Sequence, residues 1–201
     1  MLALLLAAAN PVSAVEAERA FAADAQKDGQ WTAFRRWSAP EAFMFFPEPA
    51  RVHERLKDAK DPPRSVEWVP AASFVSCDGR AAANTGPWRQ GEGNGYFSTI
   101  WVRQPAGAWR WIVDGGDALA AARAWPARPV IRTAACTGTP PKLEAVSVAG
   151  VSESGWSPDR TLSWQWTVAA DGARRFDVRL WTGAGYETVI ADRIAAPPAK
   201  P

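Results

Sequence analysis

At 201 residues, with 47% hydrophobic and 22% charged side chains, the chain holds enough apolar material for one well-buried core with an addition, and nothing in its composition argues for wholesale disorder. A formal net charge of only +2, with basic residues scattered in pairs such as Arg35 with Arg36 and Arg174 with Arg175, excludes the concentrated basic face of a nucleic-acid or anionic-membrane binder. At the start, Leu2 to Ala9 is an apolar run of signal-peptide length, and Val12-Ser13-Ala14 fits the small-x-small pattern of a cleavage site. Residues 1–14 are therefore expected to be a removed export signal and the protein to be periplasmic or secreted, although no Lys or Arg precedes the run. The alternative is the first turn of an amphipathic helix. The run is shorter than the roughly 20 apolar residues that span a bilayer, and no later segment qualifies.

From Val15 to Lys27 the residues Ala17, Ala20, Phe21 and Ala25 recur at helical spacing with Glu16, Glu18, Arg19 and Asp24 between them, which predicts a helix anchored by Phe21. Gly29 stops it. A shorter helix follows over Gln30 to Trp37, with Phe34 and Trp37 on one inward face. Ala42 to Phe46 predicts a short aromatic strand closed by Pro47 and Pro49, and Ala50 to Lys57 a further helical turn or two. Asp61-Pro62-Pro63 then breaks the chain.

Four consecutive strands come next: Val66 to Cys77, Arg80 to Trp88, Tyr96 to Arg103 and Ala108 to Asp114. Asp78-Gly79 is a two-residue hairpin signal between the first two, and Gly91 to Gly95 and Gln104 to Gly107 join the others. Alternation on the last strand puts Trp109, Trp111 and Val113 on one face and Arg110, Ile112 and Asp114 on the other. Bulky aromatics along these strands predict a strongly curved antiparallel sheet closing over an apolar interior, its second face meeting a partner. Asp117 to Ala124 is then expected to be a short Ala-rich helix, 125–142 a Pro-rich ordered linker, and 143–194 a β-meander with strands at Leu143 to Val151, Thr161 to Val168, Arg174 to Trp181 and Tyr186 to Ile194. A small meander needs a surface to cover it, so docking onto the first sheet is expected. The tail over 195–201 is expected to fray.

Cys77 and Cys136 are the only cysteines. In an oxidising compartment they would form a disulfide tying the central sheet to the segment after it; otherwise they are two buried thiols.

Residues 15–124, and most clearly 15–117, resemble the nuclear transport factor 2-like superfamily. The resemblance rests on Glu18-Arg19-Ala20-Phe21 in an opening helix, on a second helix from Trp31 to Trp37 running into Ala42 to Phe46, and on the closing strand Trp109-Arg110-Trp111-Ile112-Val113-Asp114. It implies an α+β fold in which helices pack in a cone-like curved sheet with a pocket at its wide end, followed here by the β extension. It leaves the activity open, because the superfamily holds isomerases, dehydratases, hydrolases, oxygenase subunits and noncatalytic binders. Many relatives carry a histidine beside the acidic end of the closing strand, where this chain has Gly115 and Gly116.

The ionisable inventory is correspondingly thin. His53, the single histidine, is placed by the resemblance on a helix at the pocket rim, where with Asp114 it would act as general acid or base; the bland reading is a solvated histidine between Val52 and Glu54. Asp114 is either a pocket carboxylate or the cap of a turn before Gly115 and Gly116. One histidine and two distant cysteines supply no metal cluster, and Gly91 to Gly95 lacks the context of a phosphate loop, so no metal or cofactor is expected. The 12 tryptophans read mainly as core and interface filling. Two functions follow. One is an exported noncatalytic binding module whose apolar pocket is lined by Phe34, Phe45, Trp88, Phe97 and Trp111, with His53 and Asp114 orienting a small ligand and the outer sheet face supporting a homodimer. The other is an isomerase or lyase acting on a small carbonyl compound through His53 or Asp114. An open interior with two facing ionisable groups would favour the second.

Overall fold

The computed structural model describes residues 11–46, 48–143 and 150–198. Helix α1 (Ala14–Asp28) begins at Ser13, whose hydroxyl accepts the Glu16 backbone N–H while the Glu16 carboxylate accepts from Val12 N, a capping box in all but one register step. Ala14 is buried and its carbonyl accepts from the Asn84 side chain. Cleavage after Ala14 would cut away this cap; residues 1–10 of the expected signal lie outside the described residues. Helix α2 (Gln30–Trp37) follows Gly29, whose φ of 106° and whose contact with Asp61 leave no place for a side chain: a Cβ there would sit 2.4 Å from the Asp61 carboxyl carbon. Asp61 uses that closeness to cap α2, accepting from Thr32 N and Thr32 Oγ1.

The strands form two sheets. Strands β1 (Ser38–Phe45), β2 (Pro49–Arg51), β4 (Ala72–Val75), β5 (Ala81–Gln90), β6 (Gly93–Arg103), β7 (Trp109–Ala118) and β8 (Val130–Thr133) run in the order β2-β1-β7-β6-β5-β4-β8, with β3 (Glu67–Trp68) also paired to β5. Helix α3 (Val52–Arg55) is a single turn. The sheet is mixed rather than purely antiparallel, because β1 pairs parallel with β7 and β8 parallel with β4. Several strand boundaries differ from expectation: β1 starts at Ser38, Pro49–Arg51 is a strand where a helix was expected, β6 starts at Gly93 within the expected loop, and others shift for evident local reasons. Pro70 lacks an N–H and splits the expected strand at Val66 to Cys77 into β3 and β4. The closing strand runs on through Gly115 and Gly116, and Asp117 and Ala118 stay paired with Tyr96 and Gly95. No helix forms over 117–124, since that ladder holds its first residues and Leu119 N continues it to Asn94 O. Part of the expected linker, 130–133, is recruited as an edge strand, which carries Cys136 to its disulfide with Cys77.

The second sheet, β9 (Gly150–Trp156), β10 (Leu162–Ala169), β11 (Arg174–Trp181) and β12 (Tyr186–Ile194), is an antiparallel meander. Its first strand, expected at Leu143 to Val151, lies later: Leu143 is not in a strand and β9 runs on to Trp156, while 144–149 lie outside the described residues, as do 199–201.

Alternation along each strand sorts side chains onto two cores. On one side Ala82, Phe97, Trp101, Trp109 and Trp111 meet Phe21, Phe34 and Trp37 of the helices. Phe21 is the hub, its ring centroid 4.8 Å from both Phe34 and Trp68. On the other side Phe74, Ala81, Ala83, Ile100 and Val113 meet Leu162, Trp164, Trp166, Phe176 and Val178 of the meander. The outer face, expected to support a homodimer, is thus occupied by the chain's own C-terminal sheet. That docking was expected of the meander, and it removes the surface on which the dimer was to form.

Candidate functional site

The site depends on one irregularity. The β6–β7 register slips between Ile100 and Trp101: Ile100 pairs with Val113 and Trp101 with Trp111, leaving Ile112 as the extra residue of a bulge. Plain alternation would send Val113 inward with the tryptophans and Asp114 outward. The bulge exchanges them. Val113 joins the inter-sheet core, and Asp114 turns to the helix side, where it pairs across the ladder with Thr99 and accepts the Thr99 hydroxyl at 3.0 Å.

Asp114 opens on a cavity of about 250 Å³. Its wall takes Phe21 from α1, Trp31 and Phe34 from α2, Met44 from β1, Trp68 from β3, Trp88 from β5 and Phe97 from β6. Side chains of β1 and β5 can share one cavity only because the sheet between them curls, since three strand spacings of about 4.8 Å separate them in a flat sheet. Glycines permit the close approach of backbone here. A Cβ on Gly95 would lie 2.4 Å from the Trp88 ring, and one on Gly116 would lie 2.0 Å from the Tyr96 carbonyl oxygen. A histidine at Gly116 would not fit this backbone.

Of the residues singled out from the sequence, Phe34, Phe45, Trp88, Phe97 and Asp114 all line the cavity. Trp111 does not; it is fully buried one layer behind, its ring 5.8 Å from Phe34 and 6.2 Å from Phe21. His53 is exposed on α3 with Nε2 3.0 Å from the Ser38 hydroxyl, and it is not part of the wall. The expected union of His53 and Asp114 in one pocket does not occur, because α3 directs the exposed ring to the Ser38 hydroxyl at the start of β1 and away from the cavity wall.

The residue that does accompany Asp114 is Glu18, one of the charged residues that stand between the apolar residues of α1. Glu18 is fully buried and accepts from Trp68 Nε1 at 2.8 Å, Trp101 Nε1 at 2.7 Å and Asn84 Nδ2 at 3.2 Å. It ties α1 to β3, β5 and β6. The signal was available: Glu18 stands three residues before Phe21 and seven before Ala25, on the buried stripe.

Loss of water pushes the Glu18 carboxyl up to about 7, against the three donors that favour its charged form. Asp114 is likewise pushed up to about 7, first by desolvation and then by the charge of Glu18, against the Thr99 hydroxyl and the Gly115 N–H. The two are coupled, so near neutrality the pair retains a proton that solvated carboxyls have lost. Asp114 is only half-buried and has Thr99 as its one side-chain partner among the described residues, which leaves it the group able to meet a ligand.

Among solved structures the chain is similar to a candidate ketosteroid isomerase from Parabacteroides distasonis, with 12% identity over 54% of this chain and 89% of that one and a TM-score of 0.45. It is also similar to a nuclear transport factor 2-like superfamily protein from Salmonella enterica serovar Typhimurium, with 14% identity over 53% and 89% and a TM-score of 0.41. A third is a cystatin-like fold protein from Burkholderia xenovorans, with 15% identity over 53% and 90% and a TM-score of 0.41. No protein-family model and no curated protein matches the chain. The α+β architecture described above stands on its own topology, and the site on its own geometry.

Proposed function

We propose that the protein is a noncatalytic binding module whose cavity takes one small apolar or amphipathic compound, and that it works in the periplasm or outside the cell. The observation that carries this reading is a cavity of about 250 Å³ walled by Phe and Trp side chains, with the half-buried carboxyl of Asp114, held by Thr99, on its wall and Asp117 nearby. Phe34, Phe45, Trp88 and Phe97 supply apolar contact, Trp111 backs them, and Asp114 orients the polar end. The compartment is supported by the Cys77–Cys136 disulfide, and no helix among the described residues is long and apolar enough to cross a membrane.

The Glu18–Asp114 pair favours a second reading, an isomerase or lyase acting on a small carbonyl compound. In it, Asp114 takes the proton next to the carbonyl, and Glu18 acts through Asp114 by raising its proton affinity into the working range of a general base. His53 has no part in this version.

Titrating a panel of small carbonyl compounds and following both tryptophan fluorescence and product formation separates the readings. Binding without turnover supports the module; turnover that vanishes in Asp114→Asn while affinity persists supports the enzyme. A panel that neither binds nor reacts overturns both.

A further inference from the structure

The cavity is not built from the first half of the chain alone. Arg174, which opens β11 in the C-terminal sheet, lines it beside Gly115, Gly116 and Asp117 of β7. The residue is half-buried and its Nε is buried with no hydrogen-bond partner. Its guanidinium carbon lies 5.4 Å from the Phe45 ring centroid, and among the described residues no carboxylate stands within ion-pair distance of it. Asp117 attracts it from farther off. Other arginines of this region are engaged: Arg193 with Asp177, Arg132 with Glu187, and Arg123 over the Tyr96 ring at 4.1 Å. A guanidinium stays protonated throughout the physiological range, and with Asp117 beyond ion-pair distance, holding one half out of water is costly. Its planar fork of N–H donors matches a carboxylate.

We propose that the cavity's ligand is a small carboxylic acid, its carboxylate held by Arg174 and its apolar body lying among Phe34, Trp68, Trp88 and Phe97. The C-terminal sheet would then be part of the recognition apparatus as well as a cover for the outer face. The inference rests on the binding reading above and narrows it. Size sets the body: a cavity of about 250 Å³ exceeds the roughly 150 Å³ that holds benzene and falls short of the roughly 300 Å³ at which drug-sized sites begin. One aromatic ring or a short branched chain fits.

The test compares phenylacetate with its neutral isostere phenylacetamide, titrated into the full chain at pH 7.5 by calorimetry. The acid is expected to bind about tenfold or more tightly than the amide, and increasingly so at low salt. Arg174→Gln should bring the acid down to the amide's affinity without changing the amide's. Asp117→Asn should tighten the acid alone, a gain that damage to the fold cannot imitate. Equal affinity of acid and amide in the wild type, a parallel loss of both in Arg174→Gln, or weaker acid binding in Asp117→Asn overturns the inference while leaving the binding module standing. If neither compound binds, nor neutral toluene, the binding reading falls and this inference with it.

Discussion

The two faces of the eight-stranded sheet are built from alternate residues of the same strands, yet one borders an open cavity of about 250 Å³ and the other a gap of about 20 Å³. On the outer face a second sheet lies against the first, and rows of side chains interdigitate: Phe43 and Phe45 both meet Trp166, at centroid distances of 5.9 and 5.4 Å. On the inner face the partners are two short helices that touch a curled sheet along limited stripes, so space survives between Phe34, Trp68 and Trp88. Buried carboxyls follow the same division. Glu18 and Asp114 sit on the open side, whereas Asp192, between the sheets, is held by the Ser98 hydroxyl and raised chiefly by burial. A covering sheet finishes a surface, and a partial covering of helices leaves a site.

If both faces form one cooperative core, large truncations on either should cost similar amounts. Trp101→Ala and Trp166→Ala are each expected to lower unfolding stability by about 3–5 kcal/mol, Trp101 toward the upper end because Glu18 also loses a donor. Urea denaturation of both variants checks this; two separate transitions, with only one moved by Trp166→Ala, would mean that the sheets unfold independently. Next in size is the Cys77–Cys136 disulfide, which joins the region after β4 to the segment leading to the outer sheet. For a separation of 59 residues its removal by paired Ser substitution should cost about 4 kcal/mol in the chain-entropy model. The difference in denaturation midpoint with and without the bond measures it.

The carboxyl pair sharpens the contrast through pH. Both Glu18 and Asp114 have folded-state values raised to about 7, so the native protein binds more protons than the unfolded chain between about pH 4 and 7. Their contribution is therefore complete below about pH 4 and is lost as pH rises through 7. Asp114→Asn, which keeps an acceptor for Thr99, should flatten the decline in thermal midpoint across that window. An unchanged slope would mean the pair does not titrate as described. The smallest effect belongs to the exposed pair of Arg132 and Glu187, which bridges β8 and β12. Arg132→Ala should move the midpoint least in the series, and less still at high salt.

Local chemistry carried much of the architecture. Helical spacing of Phe21 and Ala25 and alternation in β10 to β12 survive assembly because each element's pattern agrees with its packing, and a hairpin does form around Asp78-Gly79, with a four-residue loop over 77–80 in place of the expected two-residue one. The expected helix at 117–124 does not, since its only large apolar residue is Leu119 and a free strand edge on β6 was waiting to be paired. The walls of the site were legible at Phe34, Phe45, Trp88 and Phe97, because large aromatics on alternating positions have few places to go.

Its polar members were decided by tertiary structure. A bulge of one residue at Ile112 reversed the facing of Asp114, and no propensity marks where a ladder will slip. Glu18 became the acid beside it only when Trp68, Asn84 and Trp101, from three different strands, closed around α1. Arg174 reached the same wall from the other sheet, which no spacing along the chain foretells. Periodicity records which side of its own element a residue occupies, whereas the meeting of groups from distant segments depends on how strands register and sheets dock. The amino-acid order by itself determined the elements and the apolar lining; the charged groups that would choose a ligand were assembled by the fold.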